Sequence, residues 1–213
     1  GCVYNDIVDR DLDRQVARTA SRPLASGAVS RKAAWVWLGL LCLIGLITWL
    51  QLNWTARLVA LGSLALVAAY PFMKRITWWP QAWLGLVFSW GALVGWAAWT
   101  GTLPLGAILL YAGCIFWVIG YDTIYALQDR EDDALVGIRS SALRLGKNVR
   151  FGVASCYLAT IALWLMAFSQ CFPDPFAYLT LLPVAAHLAW QVATLRPDDG
   201  PDALAKFRSN RIA

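Results

Sequence analysis

Six stretches of this chain, at 33 to 52, 54 to 73, 80 to 100, 104 to 125, 150 to 169 and 175 to 195, run for about 20 residues each with almost no charge. Each is long enough to cross the hydrocarbon core of a bilayer as an α-helix. Six in 213 residues predict an all-α, multi-pass transmembrane bundle, with residues 1 to 13 ending an earlier helix. A soluble domain of 23.5 kDa would bury about two-thirds of its surface and still need a charged exterior. Here only 15% of residues are charged, 59% are hydrophobic and the mean hydropathy is +0.54. That balance excludes a disordered or nucleic-acid-binding chain. The chain opens on Gly1 rather than Met, so the expectation is one membrane-embedded domain over 1–213, truncated at both ends.

The charges follow the spans. Numbering the connections alternately gives one side residues 5 to 32, 70 to 79, 122 to 150 and 196 to 213, and this side holds 17 of the 18 Lys and Arg. Arg57 is the exception. An excess of Lys and Arg marks this side as cytoplasmic or its organellar equivalent, and accounts for the net charge of +5 without a polyanionic partner. Trp49, Trp54, Trp78, Trp79 and Trp99 fall near span ends, where an indole suits the headgroup region. Gly91 and Gly95, four apart, are expected to allow close helix contact. Of the five cysteines, Cys42, Cys114 and Cys156 lie in apolar runs, with no C-x-x-C spacing, and read as buried free thiols.

The same side also holds 12 of the 13 acids, nine of them in two clusters at helix ends. In the first, Asn5-Asp6-Ile7-Val8-Asp9-Arg10-Asp11-Leu12-Asp13, a turn of about 100° per residue puts Asn5, Asp9 and Asp13 on one stripe with Asp6 beside Asp13, while Asp11 points away. In the second, Asp122, Tyr125, Asp129 and Asp133 share a side, Asp132 follows, and Glu131 faces away. Stacked carboxylates repel at i, i+4 and call for a counter-charge. A solvated acidic loop balanced by arginines is one reading of a single run. Two matching runs on one membrane side favour a hard divalent cation, and Mg²⁺ binds through one or two carboxylates plus substrate phosphate oxygens. Arg18, Arg22, Lys74, Arg75 and Arg139 follow the clusters or close a third loop beside them, and would complete a diphosphate cradle. A diphosphate held above an apolar bundle suggests a lipid diphosphate whose allylic C–O bond ionises once its charge is neutralised, with aromatic faces stabilising the carbocation. The one histidine, His187, lies four residues from Gln191 in an apolar span and reads as a polar-paired residue, not a base.

Four motifs carry a resemblance: Asn5-Asp6-x-x-Asp9-x-x-x-Asp13; Arg18-Thr19-x-x-Arg22-Pro23-Leu24-x-Ser26-Gly27; Tyr70-Pro71-Phe72-Met73-Lys74-Arg75; and Asp122-Thr123-x-Tyr125-Ala126-x-x-Asp129-x-x-Asp132-Asp133. Together they resemble the UbiA superfamily of intramembrane prenyltransferases, and within it the members that prenylate 4-hydroxybenzoate for ubiquinone. The resemblance implies a bundle of nine helices, of which this chain would be a fragment, and Mg²⁺-dependent transfer of a polyprenyl group from polyprenyl diphosphate to the ring carbon ortho to the hydroxyl of 4-hydroxybenzoate. It also implies roles. Asn5, Asp9, Asp13, Asp129 and Asp133, assisted by Asp6, Asp122 and Asp132, would hold the Mg²⁺ diphosphate. Arg18, Arg22, Lys74 and Arg139 would contact substrate, Arg75 the benzoate carboxylate, and Tyr125 the cation or a phosphate. A bacterial inner membrane with the site facing the cytoplasm is the expected location, with no nucleic acid and no obligate protein partner. Sister branches prenylate homogentisate, dihydroxynaphthoate, haem or a glycerol phosphate. A non-enzymatic cation channel or transporter is the competing class, and it would need ionisable residues within the spans, where there are almost none.

Overall fold

The computed structural model describes residues 1–16, 19–171 and 174–212, and within these the side chains of all but Asp132, Val136 and Ile212. Helix α1 (Cys2–Asp13) leads through the short α2 (Pro23–Ser26) to α3 (Arg31–Leu50), α4 (Trp54–Ile76), α5 (Pro80–Thr100) and α6 (Leu105–Tyr125). After two short helices, α7 (Arg130–Val136) and α8 (Ser141–Leu145), come α9 (Val149–Cys171), α10 (Leu181–Thr194) and α11 (Gly200–Ser209). No strand occurs among the described residues.

Local chemistry sets the ends. Ser30 and Asn53 cap α3 and α4 by accepting from Ala33 N and Ala56 N. Asn53 Nδ2 also donates to the carbonyls of Ala97 and Ala98, at 2.8 and 3.0 Å, tying the α3–α4 turn to the end of α5. Gly101, at φ +73°, closes α5 in a left-handed conformation that a side chain would strain. The last expected span departs from one continuous helix: Pro175–Thr180 is a 3-10 turn, capped by Asp174, and the α-helix begins only at Leu181.

Packing is sequential and antiparallel, α4 on α5, α5 on α6, α6 on α9, α9 on α10, with α11 returning onto α6. In lipid an aromatic N–H or O–H has no water to bond, and each central seam supplies a backbone carbonyl instead. Trp83 and Trp90 of α5 donate to Leu66 and Val59 of α4 at 2.8 Å each, Tyr111 of α6 to Leu86 of α5 at 3.0 Å, and Trp164 of α9 to Leu110 of α6 at 3.3 Å. The α6–α9 seam has a seven-residue period. Gly106, Gly113 and Gly120 face Cys171, Trp164 and Tyr157, and an added Cβ would stand 2.4 Å from each. Gly91 and Gly95, by contrast, are exposed and have nothing within 4 Å, so the close contact expected there is found instead along α6 and at Gly85 of α5.

Large apolar side chains cover the outside: Trp35, Val36, Ile44 and Ile47 on α3, Phe88 on α5, Leu158 on α9. Among the described residues six helical segments are long and apolar enough to cross a membrane, and this outer surface suits lipid, not water; the protein is an integral membrane protein. Trp99 is 91% exposed at one end of the bundle. Trp49 Nε1 donates to Arg57 O at 3.0 Å and its ring lies 5.5 Å under the Arg57 guanidinium, so the lone base of that side is held against the bundle. The described cysteines are all free, but Cys42 is exposed on α3 and Cys114 and Cys156 are half-buried, less enclosed than their apolar surroundings suggested.

His187 is polar-paired as expected. Its Nε2 lies 3.0 Å from Gln191 Nε2 and 3.2 Å from Ser209 Oγ, and the buried Gln191 also accepts from Tyr157 at 2.5 Å, joining α9, α10 and α11.

A cavity between the two acidic clusters

The first cluster keeps the geometry its spacing implied, with one change of partner. Arg22, at the N-cap of α2, reaches back 3.1 Å to Asp6 Oδ1 and 2.9 Å to Asp13 Oδ2, so these two acids share one guanidinium. Arg10 and Arg14 hold α2 in place by donating to Leu24 O and Ala25 O. Burial pushes the Asp6 carboxyl above its ordinary value, with Asp13 and Asp9 adding to the shift against the lowering pull of Arg22 and Lys74. Asp11 points outward as expected.

Asp9 lies between Asn5 and Asp13 on the stripe yet is 0% exposed. Its Oδ2 lies 2.6 Å from Lys74 Nζ and its Oδ1 3.0 Å from Arg75 Nη2. The helix angle was read correctly, but the end of α4 stands in front of it. Asp9 therefore faces two cations and does not line the cavity described next; Arg75, on the outer side of the same pair, does not line it either.

The second cluster is not one continuous helix face. Helix α6 ends at Tyr125, the chain turns through Ala126 to Gln128, and α7 restarts with Asp129 at its N-cap. Asp133 N donates to Asp129 O at 2.7 Å and Ile138 N to Asp133 O at 2.9 Å, with Gly137 at φ +76° ending α7. The break swings Asp129 and Asp133 back over Asp122 and Tyr125. The loop that follows is stitched to α4: Arg139 N donates to Lys74 O at 3.2 Å, and its guanidinium donates to Ile76 O at 2.6 Å and lies 5.5 Å from the Trp78 ring.

These elements enclose a cavity of about 230 Å³ on the cation-rich side of the bundle. Asn5, Asp13, Asp122, Tyr125, Asp129, Asp133, Arg22, Lys74 and Arg139 all line it, so both acidic clusters and three of the expected bases meet at one site. Asp6, Asp9 and Arg75 stand behind its wall. Arg18 and the Asp132 side chain lie outside the described residues. Also lining it are Thr19, Tyr70 and Pro71, which belong to the motifs but were given no role, and Pro80, Gln81 and Ser140, which were not singled out from the sequence. Of these, Gln81 had a signal: a lone amide in the first turn of an apolar span, at the same membrane side as the acids.

The donor set suits a hard cation that arrives with its own oxygens. The side chains of Asn5 and Asp122 line the cavity and make no hydrogen bond with any described residue, which leaves hard oxygen ligands facing open space. Yet among the described residues no three acidic, His or Cys side chains converge closely enough to hold a metal alone. Mg²⁺ bound through one or two carboxylates plus phosphate oxygens matches that arrangement; a closed protein cage does not.

Comparisons with known proteins agree with this geometry. A model of the UbiA prenyltransferase family matches residues 1–212. The chain is 44% identical over 212 residues to the protein named 4-hydroxybenzoate polyprenyltransferase, mitochondrial, from Aedes aegypti, covering 99% of this chain and 48% of that one. It is 43% identical over 213 residues to the Homo sapiens protein of the same name, covering 99% and 57%. The chain thus spans about half the length of the curated relatives it matches. Among solved structures, the apo structure of a UbiA homolog from Aeropyrum pernix K1 superposes with a TM-score of 0.82 at 29% identity, over 100% of this chain and 80% of that one. A UbiA homolog from Archaeoglobus fulgidus bound to GPP and Mg²⁺ shares the fold, with a TM-score of 0.72 at 17% identity over 99% and 81% of the two chains. The chain belongs to the UbiA prenyltransferase family.

Proposed function

We propose that this protein transfers a polyprenyl group from polyprenyl diphosphate to the ring carbon ortho to the hydroxyl of 4-hydroxybenzoate, with Mg²⁺, in ubiquinone biosynthesis, as one membrane-embedded domain. The single observation that carries the reading is the cavity in which Asn5, Asp13, Asp122, Asp129 and Asp133 face Arg22, Lys74 and Arg139 at the end of an apolar bundle. The names of the relatives support the acceptor, and the related structure bound to GPP and Mg²⁺ supports the donor class.

Mg²⁺, when bound, neutralises the diphosphate and makes it a better leaving group. The protein's own residues supply the rest. Asn5, Asp13, Asp122, Asp129 and Asp133 give the oxygen ligands, while Arg22, Lys74 and Arg139 cover the remaining phosphate oxygens with charged donors. The allylic C–O bond breaks with its electron pair leaving on diphosphate. Tyr125, whose ring is tilted 46° to that of Phe207 at a centroid distance of 4.5 Å, lines the cavity wall and supplies an aromatic group to stabilise the cation. The ring carbon of the acceptor then bonds to the cation and gives up its proton to the released diphosphate. Asp9 acts through Lys74 and Arg75, fixing both cations at the edge of the site, and Arg75 is placed to meet the acceptor carboxylate only if it leaves Asp9.

The relatives named above are mitochondrial, and those names lend no support to a bacterial inner membrane. We place the site on the Lys- and Arg-rich side, the cytoplasmic or matrix face.

The test is transfer of labelled prenyl diphosphate to a panel of aromatic acceptors by membranes carrying the protein, with and without Mg²⁺. Transfer to 4-hydroxybenzoate only, and only with Mg²⁺, is expected, and Asp129→Ala should abolish it while leaving membrane insertion intact. Transfer to another acceptor would move the protein to a sister branch; Mg²⁺-independent transfer, or full activity in Asp129→Ala, would refute the site.

A further inference from the structure

We propose that Gln81 is a substrate-binding donor: its side-chain N–H₂ bonds an anionic oxygen of a bound substrate, either a phosphate oxygen of the prenyl donor or the carboxylate of the aromatic acceptor. The inference rests on the transferase reading and deepens it by assigning a role to a residue outside the four motifs.

Gln81 follows Pro80 at the start of α5 and is 5% exposed. A buried amide is costly unless its groups are bonded. Its Oε1 accepts from Ser141 N at 3.0 Å. A backbone N–H can be received only by the oxygen of an amide, so this bond decides which end of the side chain is oxygen and turns the N–H₂ end the other way. That nitrogen finds no hydrogen-bond partner among the described residues, and it is not sealed from open space. The opening that Gln81 lines is the site cavity, where Ser140 and Arg139 continue the same wall.

The donor is also held rigidly. Ser141 Oγ lies 2.6 Å from Thr123 Oγ1, both residues being buried, and Ser140 caps α8 by accepting from Leu143 N. An amide fixed in this way loses little freedom on binding. Set among Arg22, Lys74 and Arg139, it adds direction without adding charge, and so discriminates where a substrate oxygen sits.

Gln81→Glu separates the two roles of the side chain. The carboxylate can still accept from Ser141 N, so the anchor survives, but it cannot donate and it repels an anion. In membranes carrying the protein, KM for prenyl diphosphate and KM for 4-hydroxybenzoate are measured separately for the unsubstituted protein, Gln81→Glu and Gln81→Met. Gln81→Glu should raise one KM by about tenfold or more and leave the other within about twofold. Gln81→Met should raise the same KM by less. The substrate affected identifies the oxygen that Gln81 holds. KM does not depend on how much enzyme is folded, so a poorly folded variant cannot imitate this split. Unchanged KM values in Gln81→Glu, or an equal rise in both, would reduce Gln81 to an anchor for Ser141 and overturn the inference alone. Absence of transfer by the unsubstituted protein would overturn the transferase reading and this inference with it.

Discussion

Replacing Gly120 with alanine should force α6 and α9 apart. A Cβ at this position would lie 2.4 Å from Tyr157 Cε1, 2.8 Å from Cδ1 and 3.2 Å from Cζ, where carbons normally rest about 3.5–4.0 Å apart. The ring has little freedom to yield, because Tyr157 is buried and its hydroxyl lies 2.5 Å from Gln191 Oε1. Alanine in place of a helical glycine gains about 1 kcal/mol. Against that stand about 1–3 kcal/mol for overpacking and a further 1–3 or so if the ring swings out and strands the Tyr157–Gln191 bond. The net expectation is a loss of about 1–5 kcal/mol if the bond is stranded. Activity should fall too, because Asp122 and Tyr125 lie on the same helix just beyond Gly120 and tilt with it. The assay is thermal unfolding in detergent of Gly120→Ala, Tyr157→Leu and the double variant. With the ring removed, Gly120→Ala should become neutral or stabilising. A single variant as stable as the parent, or additive losses in the double, would refute the seam.

Asp9→Asn leaves Lys74 and Arg75 facing a neutral amide; because both cations are partly exposed, the loss should be about 2 kcal/mol, below that for a fully buried pair, and is read by the same unfolding assay. The docking of α11 should weaken in acid. Burial pushes the Asp202 carboxyl up, but hydrogen bonds from Lys206 and Arg196 N, and the charges of both residues, pull it below its ordinary value of 3.8. A depressed carboxyl contributes stability above its unfolded value and loses it as pH falls through the folded one, so hydrogen exchange in α11 should accelerate only below about pH 4, and Asp202→Asn should remove that pH dependence.

The spans were legible because 20-odd apolar residues have few options in any environment, and the first five long helices lie within a few residues of their expected places, the sixth beginning only at Leu181. The register of residues around one helix was legible too: Asp6 and Asp13 meet the same arginine, and Asp11 and Glu131 turn away. Periodicity says nothing about what stands opposite. It could not show that Lys74 would occupy the gap in front of Asp9, or that Gly91 and Gly95 face outward while the heptad Gly106, Gly113 and Gly120 meets α9. It also ran a single helix through Ala126 to Gln128, where no Gly or Pro marks the break. Yet that break folds Asp129 and Asp133 over Asp122, and a straight helix would carry them away from α1.

The charge around the cavity leads to a further expectation. Among the described residues, four lining carboxylates, Asp13, Asp122, Asp129 and Asp133, face three cations, Arg22, Lys74 and Arg139. Behind the wall Asp6 and Asp9 offset Arg22, Lys74 and Arg75, so the bases nearest α1 are already paired. A bare diphosphate would thus enter a site with no surplus of positive charge, and at close range two like charges in partly buried surroundings repel by several kcal/mol. Divalent cations reverse that balance. Chelation of Mg²⁺ should therefore abolish binding of prenyl diphosphate as well as turnover, measured as loss of retention of labelled prenyl diphosphate by the purified protein. Substituting Asp122 and Asp129 together with asparagine should restore part of the metal-free binding while leaving transfer inactive, because it removes the repulsion along with the ligands. Tight metal-free binding by the unsubstituted protein would show that Arg22 and Lys74 leave their carboxylates for phosphate unaided, and would overturn this balance of charge.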